Sequence, residues 1–225
     1  MKYSYAEIAS MIDHALLTPQ LTSEQLEAGC QLAADYQVAS VCILPYYLRR
    51  CTEILKPSSV MPSTVIGFPH GSNAISTKQT EAQQAIRDGC RELDTVVNIS
   101  QVVSGEWDYV RRDIQAVVDI AHDAGQKVKV IFETCYLNRE QKITLCEICT
   151  ELHADWVKTS TGFGTSGADL EDLRLMVEHT PDSIQVKASG GIRSFDTVLE
   201  MRAIGVSRIG ASRTAEILDE CRQRM

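Results

Sequence analysis

The sequence predicts a single (β/α)8 TIM barrel with a short extra helix at its N-terminus, one domain over residues 1–225. Three observations carry that expectation. Short apolar runs of β-type residues alternate with segments of helical spacing along the whole chain. Strict alternation of this kind implies a parallel sheet with right-handed crossovers. About eight such units fit in 225 residues, which suits one closed barrel, and with 6 Pro and 13 Gly there is no low-complexity linker to divide it. A doubly wound open sheet with fewer strands is the second reading, because the first strand signal is weak.

In chain order, residues 3–10 form the extra helix and 11–14 the weak first strand. Thr22 and Gln25 make a capping-box pattern, opening a helix with Leu26, Cys30 and Ala33 on one face. Residues 38–44 are a buried strand stopped by Pro45, and the next helix runs through Leu48, Cys51 and Leu55 toward Pro57. Residues 64–68 form the third strand. Ser76 and Gln79 then repeat the capping pattern, and the helix through Ala82, Ala85 and Ile86 stops at Gly89. Strand 91–97 alternates, with Glu92, Asp94 and Val96 on one side and Leu93, Thr95 and Val97 on the other. A long helix carries Val110, Ile114, Val117 and Ala121 and stops at Gly125. Residues 127–133 are the fifth strand. Asn138 with Gln141 caps a helix through Leu145, Ile148, Cys149 and Leu152, and 155–162 contain the sixth strand. The helix from Asp169 uses Leu173, Met176 and Val177. Strand 184–188 runs into Ser189-Gly190-Gly191, Ser194 caps a helix with Val198 and Met201, and 207–210 is the last strand before a helix opened by Ser212.

Composition excludes several functions. A net charge of −8 without a basic run argues against nucleic-acid binding, which needs clustered Lys and Arg. No stretch approaches the roughly 18 apolar residues of a membrane span. The first seven residues lack the apolar core of a signal peptide, so a cytoplasmic protein is expected. The 8 cysteines are then reduced thiols used as small hydrophobes. Cys146 and Cys149 have metal or redox spacing, but they have no second pair and fall in an expected helix interior. This pair is therefore not expected to hold a metal or a redox cofactor.

In a barrel the chemistry sits where strands end at the C-terminal face. The polar residues there are Asp13, Cys42, Asp94, Asn98, Glu133, Lys158, Thr161 and Lys187. Lys158 and Lys187, on neighbouring strands, point into one volume. Two like charges disfavour double protonation, so one lysine becomes partly a free amine able to attack a carbonyl, and Asp94 is placed to hold or relay a proton. Taken singly, a strand-closing lysine is more often solvated, and an aspartate beside it more often a neutralising partner. The three together at strand ends are what carries the reading. Gly190-Gly191 and Gly210-Ala211-Ser212 follow strands seven and eight, where barrels of this kind bind phosphate on backbone N–H groups. Taken alone, those glycines would do no more than allow tight turns.

The motifs Ile12-Asp13-His14-Ala15-Leu16-Leu17, Gly67-Phe68-Pro69-His70-Gly71, Glu92-Leu93-Asp94, Val130-Ile131-Phe132-Glu133-Thr134, Val157-Lys158-Thr159-Ser160-Thr161-Gly162-Phe163, Val186-Lys187-Ala188-Ser189-Gly190-Gly191-Ile192-Arg193 and Ile209-Gly210-Ala211-Ser212 resemble the deoxyribose-phosphate aldolases, which are class I aldolases. The resemblance spans nearly the whole chain. It implies that Lys158 forms a Schiff base with an acetaldehyde fragment, that Lys187 lowers its pKa, and that Asp94 is the acid/base, working through a water. It also implies that Gly162, Gly190, Gly191, Gly210 and Ser212 bind phosphate and that Thr161 contacts substrate, with Asp13 and Cys42 near the site. The implied reaction is reversible cleavage of 2-deoxy-D-ribose 5-phosphate to D-glyceraldehyde 3-phosphate and acetaldehyde, without metal because the iminium is the electron sink. A homodimer or homotetramer is favoured. If Cys42 confers sensitivity to unsaturated aldehydes, a Cys42→Ser variant should escape inactivation by them.

Three departures from the family pattern stand out. Phe163 replaces a phosphate-contacting lysine of some longer members, Arg213 replaces a small hydroxyl residue, and the chain ends at Arg224-Met225 without a C-terminal tyrosine. Two rivals stay open at this level: a Schiff-base aldolase with another acceptor aldehyde, and a barrel that binds a sugar phosphate without cleaving it.

Overall fold

A computed structural model describes residues 3–225; residues 1 and 2, the start of the stretch read as leaderless, lie outside the described residues. Eight parallel strands close into a barrel in sequential order: β1 (Ile12–Leu16), β2 (Ser40–Ile43), β3 (Met61–Ile66), β4 (Glu92–Val96), β5 (Lys127–Ile131), β6 (Trp156–Lys158), β7 (Gln185–Ser189) and β8 (Arg208–Ala211). Closure is made by β1 against β8, with Asp13 opposite Gly210. The open-sheet alternative is thereby removed, because an open sheet leaves its first and last strands unpaired.

Helices α1 (Tyr5–Ala9), α2 (Ser23–Tyr36), α3 (Leu48–Leu55), α4 (Ile75–Arg87), α5 (Ile99–Val103), α6 (Trp107–Asp123), α7 (Arg139–Glu151), α8 (Leu170–Glu178), α9 (Phe195–Ile204) and α10 (Thr214–Gln223) surround it. The main core lies between helices and strands. Val41, Ile43, Leu93, Val128, Val130, Val157, Val186 and Ile209 are buried in it with Leu26, Ile114, Leu145, Leu173, Val198 and Ile217. The other face of the strands turns inward, and there the usual branched aliphatic filling is largely replaced by Asp13, Glu92, Asp94, Lys129, Lys158 and Lys187, all buried.

Sequence capping patterns were realised at Thr22–Gln25 and Asn138–Gln141, where each side chain bonds the other's backbone N–H. Ser4 and Glu7 form a third box, which shortens the N-terminal helix to Tyr5–Ala9. The Ser76–Gln79 pattern was not realised. Helix α4 begins two residues earlier, after Ala74, without a side-chain cap, so Ser76 lies already inside the first turn. The last helix starts at Thr214 after Arg213, two residues beyond Ser212. Strand β3 begins at Met61, ahead of the expected 64, because the Pro62 carbonyl still accepts from the Arg91 N–H at 2.8 Å. Helix α5 was not anticipated; at five residues it is too short to show periodicity.

All eight cysteines carry free thiols, and Cys146 and Cys149 are fully buried within α7. Among the described residues, no helix is long and apolar enough to cross a membrane.

Candidate active site

Lys158 ends β6 and Lys187 lies directly opposite it on β7, so the register alone sets the two side chains at one level. Asp94, on β4 across the barrel, receives both. Its Oδ2 accepts from Lys158 Nζ at 2.8 Å and from Lys187 Nζ at 2.7 Å. Sharing one oxygen keeps the two nitrogens inside the ~6 Å over which a neighbouring charge moves a pKa. The expected proximity is therefore present.

The cause of activation differs in emphasis from the sequence reading. Lys158 is held below the ordinary lysine value first by burial; Asp94 opposes this and Lys187 adds to it. Lys187 moves the other way. Burial works against its charge, but Asp13 at 2.6 Å and Asp94 outweigh it and hold its pKa up. One lysine tends toward amine and the other stays ammonium, which is the division of labour that acid–base chemistry needs.

Below them the interior continues as one ionic cluster. Lys129 Nζ lies 2.5 Å from Glu92 and 2.9 Å from Asp94. Arg208 reaches Asp13 at 2.6 Å and Glu92 at 3.0 Å. Burial opposes the charge on Asp13 and Asp94, yet their cation neighbours prevail and keep both well below the usual carboxylate range.

A cleft of about 350 Å³ opens above this floor. Asp13, Cys42, Lys158, Thr161, Gly162, Lys187, Gly190, Gly191, Gly210 and Ser212 all line it. Asp94 does not: it is fully buried, beneath the two cleft-lining lysines that bind its Oδ2. Cys42 is nearly buried, and burial pushes its thiol up to about 11, so at neutral pH it is a protonated, weak nucleophile.

Thr161 is fixed by Glu133. Its N–H donates to Glu133 Oε1 at 3.1 Å, its hydroxyl donates to Glu133 Oε2, and the same hydroxyl accepts from the Phe163 N–H at 3.0 Å. Toward β7 and β8 the wall is backbone. Gly190, at φ +89°, brings its backbone so close to Gly167 that a Cβ there would sit 2.7 Å from the Gly167 Cα. Arg193 and Arg213 line the same end. Arg213, which stands where many family members have a small hydroxyl residue, pairs with Glu216 at 3.0 Å. At the opposite rim Phe163 meets Phe68 edge-on, with centroids 5.4 Å apart.

Sequence reasoning missed Lys129, Arg208 and Arg193, and took Glu133 no further than a polar strand end. The signal for Lys129 and Arg208 was available: in a parallel barrel both strand faces are covered, so an alternating charged face can only point inward and must be paired.

Residues 8–214 match the sequence pattern of the DeoC/LacD family aldolases. The chain is 60% identical over 223 residues to a deoxyribose-phosphate aldolase of Rhodopirellula baltica, covering 99% of this chain and 92% of that one. It is 47% identical to that of Caldanaerobacter subterraneus subsp. tengcongensis, covering 98% and 96% respectively. A solved deoxyribose phosphate aldolase from Aeropyrum pernix superposes with a TM-score of 0.91 at 31% identity, covering 99% of this chain and 94% of that one. A charged barrel floor bearing two lysines on one aspartate, on a chain alike over its whole length, places the protein in the DeoC/LacD aldolase family.

Proposed function

We propose that this protein is a class I aldolase that reversibly cleaves 2-deoxy-D-ribose 5-phosphate into D-glyceraldehyde 3-phosphate and acetaldehyde, serving deoxyribose breakdown in the cytoplasm. The observation that carries the reading is the shared Oδ2 of Asp94, 2.8 Å from Lys158 and 2.7 Å from Lys187, on the floor of the cleft. The names of the relatives supply the substrate.

In this reading the Lys158 amine attacks the C1 aldehyde of the open-chain sugar and loses water to give an iminium. The C3 hydroxyl gives up its proton, the C2–C3 bond breaks, and its electron pair flows into the iminium to form an enamine. D-glyceraldehyde 3-phosphate leaves. A proton returned to C2 restores an iminium, which water hydrolyses to acetaldehyde and free Lys158. Asp94 and Lys187 are the groups placed to hold and return protons next to Lys158. Phosphate is assigned to the backbone of Gly190, Gly191, Gly210 and Ser212, with Gly162 across the cleft; Arg193 supplies positive charge that Arg213 shares with Glu216. Thr161, locked by Glu133, faces the sugar. The relative from Aeropyrum pernix is described as tetrameric, and we infer a homodimer or homotetramer here.

Product analysis tests the reading. Incubation with 2-deoxyribose 5-phosphate should release acetaldehyde and D-glyceraldehyde 3-phosphate in equal amounts, and Lys158→Met should release neither. Unphosphorylated deoxyribose should be cleaved less efficiently. Tight binding without products would favour a sugar-phosphate-binding barrel, and cleavage of another aldol with this one untouched would favour a different acceptor.

A further inference from the structure

Lys129 has no part in the reaction sequence above. It is fully buried in the middle of β5, opposite Asp94 in the register and one layer below Lys158. A lysine held there needs a physical reason, because a buried charge is tolerated only when it is paired. Its nitrogen touches three carboxylates: Glu92 at 2.5 Å, Asp94 at 2.9 Å and Asp13 at 3.6 Å.

The carboxylates in the cluster are Asp13, Glu92 and Asp94. The cations bound to them, apart from Lys158, are Lys129, Lys187 and Arg208. Three negative charges already meet three positive ones. A proton on Lys158 is therefore the single excess charge on a buried cluster, where excess charge is expensive.

Among the described residues, no other charged group is paired with these carboxylates or cations. From β2 comes Cys42, a neutral thiol with its pKa pushed up to about 11 by burial. Cys90, beside the start of β4, is pushed up to about 12 by burial and is likewise neutral. From β6 comes the Trp156 ring, uncharged, with Lys129 5.5 Å and Arg208 4.9 Å from its centroid. Lys127 reaches that ring from the exposed start of β5. Glu133, at the far end of β5, is bound to Thr161. Burial disfavours the charge on Lys129, but Asp94, Glu92 and Asp13 outweigh it and keep its pKa high, so it counts as a cation across the working range.

We propose that Lys129, with Glu92 as its counter-charge, is a positioning residue that keeps Lys158 a free amine by neutralising, from Oδ1, the Asp94 carboxylate whose Oδ2 holds Lys158. The proposal rests on the reading of Lys158 as the Schiff-base amine. The iminium restores the excess positive charge at that position, and passage to the neutral enamine removes it, so the same balance favours bond cleavage.

Trapping of acetaldehyde on Lys158 by cyanoborohydride, followed by intact mass across pH, gives the midpoint at which the amine appears. Lys129→Met removes a cation and should move that midpoint up by about one unit or more, the usual size for a neighbouring charge. Glu92→Gln removes an anion and should move it down. Lys129→Arg keeps the charge and should restore the parent's midpoint. A purely structural role would weaken folding without producing shifts of opposite sign. If Lys129→Met does not fold, the Glu92→Gln shift decides: a fall supports the proposal, and an unchanged or raised midpoint overturns it. Coincident midpoints in folded variants also overturn it. No adduct on the parent protein at any pH would instead overturn the reading of Lys158 itself.

Discussion

Among the described residues, two lysines are buried with pKa values held down chiefly by burial, and of these Lys158 lines the cleft. Lys78 sits between α4 and α6, its Nζ 2.6 Å from Asp113 and 2.7 Å from the Val96 carbonyl. Lys158 shares its aspartate with a second lysine and faces the cleft. Burial alone therefore does not set Lys158 apart; access to the cleft and a second cation on its aspartate do. The same logic gives a prediction for Asp94→Asn. Removing the charge that favours the Lys158 ammonium should lower the pH midpoint for acetaldehyde trapping. Turnover should fall, on the order of 10²–10⁴-fold for loss of a proton-handling group. Steady-state rates measured beside a trapping profile check both halves; a raised midpoint would contradict the assignment. The strand-end residues of this site were legible in the sequence because a barrel confines chemistry to one face. Lys129 was overlooked because Lys127-Val128-Lys129-Val130, taken as an isolated segment, looks like a strand with one wet face; only the barrel's two covered faces turn it inward. The polar face is wet only at Lys127, and the barrel interior takes the rest.

At the scale of elements, β1 and α10 are tied by His14, whose Nδ1 lies 2.8 Å from the Thr214 hydroxyl. Burial lowers its pKa from 6.5 to about 4. The unfolded chain binds this proton below 6.5 and the folded protein does not until about 4, so stability is lost as pH falls through that window. The difference corresponds to about 3 kcal/mol. Urea denaturation between pH 7 and 4.5 should show the loss, and His14→Asn should flatten it; an unchanged slope would contradict the burial argument. The Lys78–Asp113 pair joins α4 to α6. Lys78→Met leaves a buried carboxylate unpaired and should cost about 3–5 kcal/mol, while a double replacement with Asp113→Leu should recover much of it. A double-mutant cycle of chemical denaturation measures both. The helix starts at Thr22 and Asn138 were readable because the capping box is local chemistry. The start of α4 was not, since Ala74 offers no side chain to read and tertiary packing sets the boundary.

At the scale of the molecule, the alternation of strands and helices reveals the number of units and their parallel order. Closure is a contact between Ile12-Asp13-His14 and Ile209-Gly210-Ala211, nearly the whole chain apart, and no local pattern encodes it. That contact joins the last unit to the first, and the buried cluster links β1, β4, β5, β6, β7 and β8 through ion pairs. We expect the chain to unfold as one unit, with fluorescence of Trp156 at the barrel floor and Trp107 on α6 following the same transition as far-ultraviolet circular dichroism; separate midpoints would argue for two independently folding parts.

The central claim is that Lys158, alone among the lysines of the barrel, is an amine poised to attack a carbonyl. Acetaldehyde, borohydride reduction and peptide mapping test it most directly. The account predicts one ethyl group per chain at pH 7, carried by Lys158, and none on a Lys158→Met variant whose Lys187 and Lys129 remain. An adduct on Lys187 or Lys129, or no adduct at all on the folded protein, would contradict it.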